Sequence, residues 1–394
     1  MRSSHAASRG RRLLGASAAL SMLLFAGAAR AELPTETASI ARLPADATHR
    51  VYIADPAVPH ALDGRLHVID GDDMRYLGMI GTGFGGDIAI TPDGRHIVVV
   101  TTYHSRLERG ARTDVVEIYQ ASDLSFEREI EIPTKHVQGL PIKALLAFTP
   151  EGRYLLVQNA TPATSVTVVD LQEHRVSAEM PNPGCYGLLP WQDKSRRVSS
   201  ICGDGTLATF SVDEQGHAGG LQRSETFFDP DKDPVFTHFE QTTDRTLLVS
   251  YAGSVYGLRL SGDKPGFDAP WSFVSAIDRK QGWTPGGFEL FALDRASGHL
   301  IVGMHPKAVE GSHKDPAEQL WVLDLARHQR VARVPGHEAI SMIASAGPRP
   351  RLFLLNGADN TLVSFDLGKP DGLRKPLKVS APVGDTPAYL GVTP

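Results

Sequence analysis

A β-rich run with a polar residue, usually Asp or Ser, close behind it recurs seven times along this chain, and that recurrence constrains the fold most. The runs are LHVID (66–70), VVEIY (115–119), VTVVD (166–170), LATFS (207–211), VYGLRL (255–260), LWVLD (320–324) and LVSFD (362–366). Each after the first follows a partner run: HIVVVTTY (96–103), YLLVQ (154–158), VSSIC (198–202), TLLVSY (246–251), LIVGM (300–304) and LFLLN (352–356). Turn signals precede several partners: TPDG at 91–94, TPEG at 149–152, TTDR at 242–245 and DRASG at 294–298. Pro and Gly sit poorly inside a hydrogen-bonded ladder, so they mark reversals. The stretch 144–170 shows the unit most plainly. There Val166 and Val168 alternate as in a half-buried strand.

Units spaced by roughly 40 to 60 residues match the four-stranded blade of a propeller. Length alone would divide the last ~360 residues into two or three domains. The repeat instead predicts one all-β, seven-bladed β-propeller over 49–394, with Val51–Ala54 and Ala388–Val392 joining the ends of the ring. No amphipathic helix of ordinary length is evident.

The chain opens with an address. Arg2, Arg9, Arg11 and Arg12 precede the apolar run Leu13–Ala26, and Ala29-Arg30-Ala31 is a small-x-small cleavage site. That predicts a secretory signal peptide over 1–31, cut before Glu32, then a flexible arm over 32–48. The run is shorter than the roughly 20 apolar residues of a membrane span. A periplasmic protein without a membrane anchor is therefore expected. Residues 1–31 hold five Arg and no acid, so the 40 basic residues fall to 35 against 45 acidic and the net charge moves from −5 to about −10. An acidic surface argues against nucleic acid or anionic lipid as a partner.

Several motifs satisfy a pattern without its physics. Gly81-Thr-Gly83-Phe-Gly85-Gly86 spells the dinucleotide fingerprint, which works by placing pyrophosphate on a helix N-terminus. Here it runs on into DIAITPDG, an alternating strand and a turn, so a glycine-rich loop carrying Phe84 is the expectation. Asp229, Asp231, Asp233 and Glu240 fall at calcium-loop positions, but Pro234 stands where the loop needs Gly. No His set has zinc-ligand spacing, although His104, His305, His313 and His337 lie near strand ends. No nucleophile elbow or Ser–His–Asp order appears. Neither catalytic residues nor a metal site is expected in this chain.

Cys185 and Cys202 are the two cysteines, and an even pair in an exported protein is expected to form a disulfide. A hairpin turning at Asp193-Lys194 would set them opposite each other. Two insertions, 262–288 and 305–320, exceed what a propeller needs. Trp271 and Trp283 in the first are candidate interface anchors or a local mini-core. Arg106, Arg109 and Arg112 form a basic cluster that either meets an acidic partner or pairs with Glu108 and Asp114.

Long segments carry a family resemblance: TTYHSRLERGARTDVVEIY (101–119), VQGL (137–140), QNATPATS (158–165), ICGDGTL (201–207), KDPVF (232–236), VSYAGSVY (249–256), GWTPGG (282–287), DRASGHLIVGMHP (294–306) and EGSHK (310–314). The chain resembles the large (heavy) subunit of the tryptophan tryptophylquinone amine dehydrogenases, most of all their aromatic (aralkylamine) branch. The resemblance runs from about residue 50 to the C-terminus. It implies a seven-bladed subunit without a prosthetic group, paired with a disulfide-rich small subunit in a periplasmic α2β2 assembly. The tryptophan tryptophylquinone and the catalytic Asp are implied to belong to that partner, so Trp271 and Trp283 are not a cofactor pair. Implied too are oxidative deamination of primary amines and a blue copper acceptor of azurin or amicyanin type. Phe84 matches a Phe that lines the entrance to the quinone pocket, and Cys185–Cys202 matches an intrachain disulfide. The alternatives are a methylamine-type large subunit, a stand-alone periplasmic binding propeller, and a lactonase-type hydrolase with carboxylates around a channel metal.

Overall fold

The computed structural model describes residues 39–45, 47–369 and 371–393. The expected signal peptide and most of the expected arm lie outside the described residues. All the strands lie in the unit Ala41–Pro394.

The recurring run is the third strand of an antiparallel meander, and its partner is the second. Leu146–Phe148, Tyr154–Asn159, Ser165–Asp170 and Arg175–Pro181 pair in sequence as one four-stranded sheet. Cys185–Pro190, Arg197–Cys202, Leu207–Val212 and Ala218–Arg223 make the next. Glu240–Gln241, Thr246–Val249 and Ser254–Arg259 form a third, edged by Gly266–Phe267 and Trp271–Ser272. Two 16-residue strands, Arg75–Ile90 and Gln329–Ala344, each belong to two successive sets. The first half of Arg75–Ile90 pairs with Gly64–Asp70 and the second half with His96–Arg106. Gln329–Ala344 likewise joins Ala317–Asp324 to Arg351–Asn356. The first and last strands of the repeat meet where Tyr389–Val392 pairs antiparallel with Arg50–Asp55, the pairing expected from the sequence.

The terminal Asp of the run has a local cause. Asp70, Asp170, Asp324 and Asp366 each accept the backbone N–H two residues on, closing the reversal with a side chain. In the TPDG and TPEG turns, Gly94 and Gly152 donate to the Thr91 and Thr149 carbonyls and take positive φ.

The half-buried reading of the third strand is corrected. Ser165–Asp170 is buried along its whole length. Val166 and Val168 pack toward Leu188, Val198 and Phe210 of the following sheet, while Val169 packs toward Val100, Val116 and Ile132 of the preceding one. Sheets stacked face to face bury both sides of a strand, so an apolar run can be nearly continuous. Helix is scarce among the described residues: the one α-helix, Ala276–Lys280, has five residues and a Ser275–Asp278 capping box.

Candidate functional site

The site begins where Arg75–Ile90 passes from one sheet to the next. Its register with both neighbours breaks between Gly81 and Asp87. Gly83 and Gly85 take φ of 58° and 63°, a conformation costly for residues with a Cβ. A Cβ on Gly86 would stand 2.5 Å from the Thr82 carbonyl oxygen. The bulge is tied down by the Thr101 hydroxyl, which donates to the Thr82 carbonyl at 2.6 Å and lies 3.3 Å from that of Phe84. So the fingerprint-like glycines shape a strand crossing, with no helix following.

The bulge lifts the half-buried Phe84 into a groove of about 600 Å3, lined also by Val58–Asp63, His104 and Glu108. The His104 ring meets Phe84 edge-on at 6.4 Å. Val58, Leu62 and Phe84 supply apolar surface. Asp63 and Glu108 supply carboxylates, partly offset by Arg65 and Arg109. An organic cation with an apolar body matches that lining.

Beneath the bulge lies a buried charge cluster. His136, Asp87 and Asp114 are 1%, 3% and 0% exposed. His136 Nε2 is 3.1 Å from the Gly85 carbonyl oxygen and 3.4 Å from an Asp87 carboxylate oxygen. Its Nδ1 is 3.4 Å from the Thr102 hydroxyl and 3.7 Å from Asp114. Arg112 Nε and Nη2 donate to the two Asp114 oxygens at 2.7 and 2.6 Å, and Thr102 donates to Asp114 at 2.8 Å. Burial opposes charge on His136, but Asp114 and Asp87 outweigh it and raise the imidazole to about 9. Burial raises Asp87 to about 6, with His136 only partly offsetting it. Burial would also raise Asp114, yet the bonds from His136, Arg112 and Thr102 hold it well below the usual carboxylate range.

The three arginines separate. Arg106 and Arg109 sit at an exposed hairpin tip, whereas Arg112 turns inward onto Asp114. Trp271 stacks on His328 at 5.0 Å, and Trp283 packs against Trp321 at 5.6 Å, both half-buried against one core cluster. Cys185 and Cys202 are bonded and are register partners across a hairpin turning at 191–196. Asp229 accepts from Lys232 within its own turn and Asp233 from the Ala252 N–H of a separate turn, so both carboxylates are engaged within the protein. Of the four histidines singled out from sequence, His104 lines the groove. His136 was missed: a lone His between Lys135 and Val137 has no motif, and only its place ahead of VQGL offered a hint.

A second cavity, of about 380 Å3, is lined by Ile88, Ala147, Pro190, Glu240, Ile343 and Tyr389, drawn from successive sheets. Its carboxylate, Glu240, is engaged by Lys143 and Arg295 at 3.5 and 3.8 Å. Among the described residues no group of three or more His, Cys, Asp or Glu is arranged to hold a metal.

Among solved structures, a putative 6-phosphogluconolactonase from Bacteroides fragilis superposes with a TM-score of 0.62 at 10% identity, covering 89% of this chain and 99% of that one. That likeness shows the fold alone, an all-β assembly of β-propeller kind. Sequence relatives are more specific. The chain is 27% identical over 327 residues to the methylamine dehydrogenase heavy chain of Methylobacillus flagellatus, covering 82% of this chain and 80% of that one. It is 29% identical over 340 residues to that of Paracoccus versutus, covering 85% and 78%. The family model for the methylamine dehydrogenase heavy chain (MADH) matches residues 46–384. With nearly the whole strand repeat inside that match, the chain belongs to the methylamine dehydrogenase heavy chain family.

Proposed function

We propose that this chain is the large subunit of a periplasmic quinoprotein amine dehydrogenase acting on primary amines with an aromatic or aralkyl body. The family match over 46–384 carries the reading. The strand order supports seven blades, counting Arg75–Ile90 and Gln329–Ala344 once in each set they join. The signal-like 1–31 segment supports export.

The tryptophan tryptophylquinone is assigned to the small subunit of an α2β2 assembly. Trp271 and Trp283 fit that division, because each is committed to separate stacking partners in this chain's own core. In its own subunit the quinone would supply the two-electron, two-proton acceptor needed to turn a primary amine and water into an aldehyde and ammonia. A blue copper protein of azurin or amicyanin type then receives those electrons. This chain contributes binding and exclusion: Phe84, Val58 and Leu62 wall the amine's path, and the carboxylates at the rim favour the ammonium form.

Affinity capture of the mature chain from its native periplasm tests the reading. A small co-purifying subunit that gives a quinone redox stain, with turnover of 2-phenylethylamine, is the expected result. A capture with no stained partner would overturn it and leave a stand-alone binding propeller. Phe84→Ala is expected to shift the relative kcat/KM for methylamine and 2-phenylethylamine while leaving the assembly intact.

A further inference from the structure

The groove's wall has a support that neither the family match nor the sequence motifs identify. Phe84 stands within the irregular stretch between Gly81 and Asp87, whose glycines give it little stiffness of its own. Gly83 and Phe84 keep register partners in Gly64 and Thr102, and the side chains that reach the bulge backbone are the Thr101 hydroxyl at the Thr82 and Phe84 carbonyls and the His136 ring at the Gly85 carbonyl. His136 is not on the bulge's own sheet edge. It lies in the crossing that leads from Phe126–Ile132 toward the next sheet, where it bridges to Asn159.

Every polar atom near the two ring nitrogens is an acceptor or has an acceptor free. Nε2 faces the Gly85 carbonyl and Asp87. Nδ1 faces Asp114 and the Thr102 hydroxyl, whose proton is committed to Asp114. An imidazolium, donating from both nitrogens, satisfies this set; a neutral ring leaves one nitrogen facing an acceptor with no proton between them. Arg112 and Thr102 fix Asp114, and Arg112 Nη2 also donates to the His136 carbonyl at 3.1 Å. The His136 N–H completes the loop by donating to Asp114 at 3.2 Å. The histidine is thus gripped by backbone and ring alike, and its Nε2 reaches across to the bulge-bearing strand, at the Gly85 carbonyl and at Asp87.

We propose that His136 is a positioning residue for amine selectivity: through its bond to the Gly85 carbonyl it fixes the bulge and so sets where Phe84 stands in the groove. The inference rests on the reading of Phe84 as a wall of the amine path. It places the determinant of selectivity in a charged cluster that no substrate touches. It also makes Arg112 part of that cluster rather than of a docking surface.

A double-mutant cycle on the holoenzyme tests it, with methylamine and 2-phenylethylamine as probes and the ratio of their kcat/KM values as the readout. Phe84→Ala and His136→Gln are each expected to change that ratio by roughly tenfold, since displacements near 1 Å cost up to about 10² in rate. In the F84A background, H136Q should change the ratio no further, because the residue it positions is gone. A merely structural role would lower both kcat values together and add to F84A. If F84A changes the ratio and H136Q does not, or if the two effects multiply, the inference is overturned while the reading of Phe84 stands. If F84A leaves the ratio unchanged, that reading fails and takes the inference with it. Should H136Q fold poorly because Asp87 is left without a cation, the H136Q/D87N variant removes the stranded carboxylate and runs the same cycle.

Discussion

Replacing Asp278 with Ala tests how the long 262–288 insertion is held. Asp278 is 3% exposed and is bonded to Arg330 at 2.8 Å and to Arg333, both from the strand Gln329–Ala344. It also accepts the Ser275 N–H and hydroxyl at 3.1 and 2.7 Å, completing the capping box of Ala276–Lys280. A hydrogen bond to a charged group is worth about 1.5–3 kcal/mol when buried. The arginine side chains are 23% and 33% exposed, so water replaces part of what each loses, leaving about 1 kcal/mol apiece. Loss of the cap adds about 1 kcal/mol. Both guanidiniums keep their seats over Trp321, at 4.1 and 4.2 Å, so the loop loosens without collapsing. The total is about 3 kcal/mol, which at a urea slope of about 3 kcal/mol/M lowers the midpoint by roughly 1 M. Trp fluorescence of the mature chain in urea reads the change, since Trp283 and Trp321 adjoin the lost contacts. Burial would raise the Asp278 carboxyl, but Arg330, Ser275 and Arg333 hold it well below the usual range. Its stabilisation is therefore present above about pH 4 and lost as pH falls through the depressed value, so wild type and variant should converge in acid. A midpoint unchanged within about 0.2 M at neutral pH would refute the assignment of the loop's anchorage to this carboxylate.

Three further outcomes follow from the same contacts. The double variant Cys185→Ser/Cys202→Ser opens a link between residues 17 apart and should lose about 3 kcal/mol in urea unfolding; a loss under about 1 kcal/mol would show the hairpin closed without it. His136 is raised from its ordinary 6.5 to about 9, so its stabilisation is complete below about pH 6.5 and fades as pH rises through 9; charging Asp87 near pH 6 works against stability in the lower range. A thermal midpoint that declines between pH 8 and 10 in wild type but not in H136Q/D87N is expected, and parallel profiles would contradict it. Gly86→Ala sets a methyl 2.5 Å from the Thr82 carbonyl oxygen and Cβ, so it should disturb the bulge and shift amine selectivity as Phe84→Ala does, and an unchanged selectivity ratio would show that the bulge yields without moving Phe84.

The architecture was legible because its signals are local. Each run with Asp behind it is a strand whose last side chain closes its own turn, so the same few residues encode both the element and its end. What the pattern hid was burial. Strand 165–170 reads as alternating, yet Thr167 is as buried as Val166 and Val168 because a second sheet lies over it. Local sequence does not say how many faces a neighbour will cover. The shared long strands were hidden for a related reason: at 75–90 and 329–344 the turn-like residues, Gly81–Gly86 and Pro335-Gly336, fall where the chain changes partners without reversing, so a signal that ends a strand elsewhere only bends it here.

The site divides along the same line. Phe84 drew notice because a large apolar ring among glycines is unusual at a loop tip; the structure places it within the strand Arg75–Ile90, at the edge of a groove. His136, Asp87 and Asp114 come from three separate segments, 27 and 22 positions apart in the chain, and no spacing rule joins them. Arg112 shows the cost of reading charge in one dimension. Beside Arg106 and Arg109 it completes a basic cluster; in the strand its side chain falls two residues from Asp114 on the same face, and a buried carboxylate takes it inward. A strand's period of two puts Arg112 on the face of Asp114, while Arg106 and Arg109 stay exposed at the hairpin tip, Arg109 within 3.9 Å of Glu108.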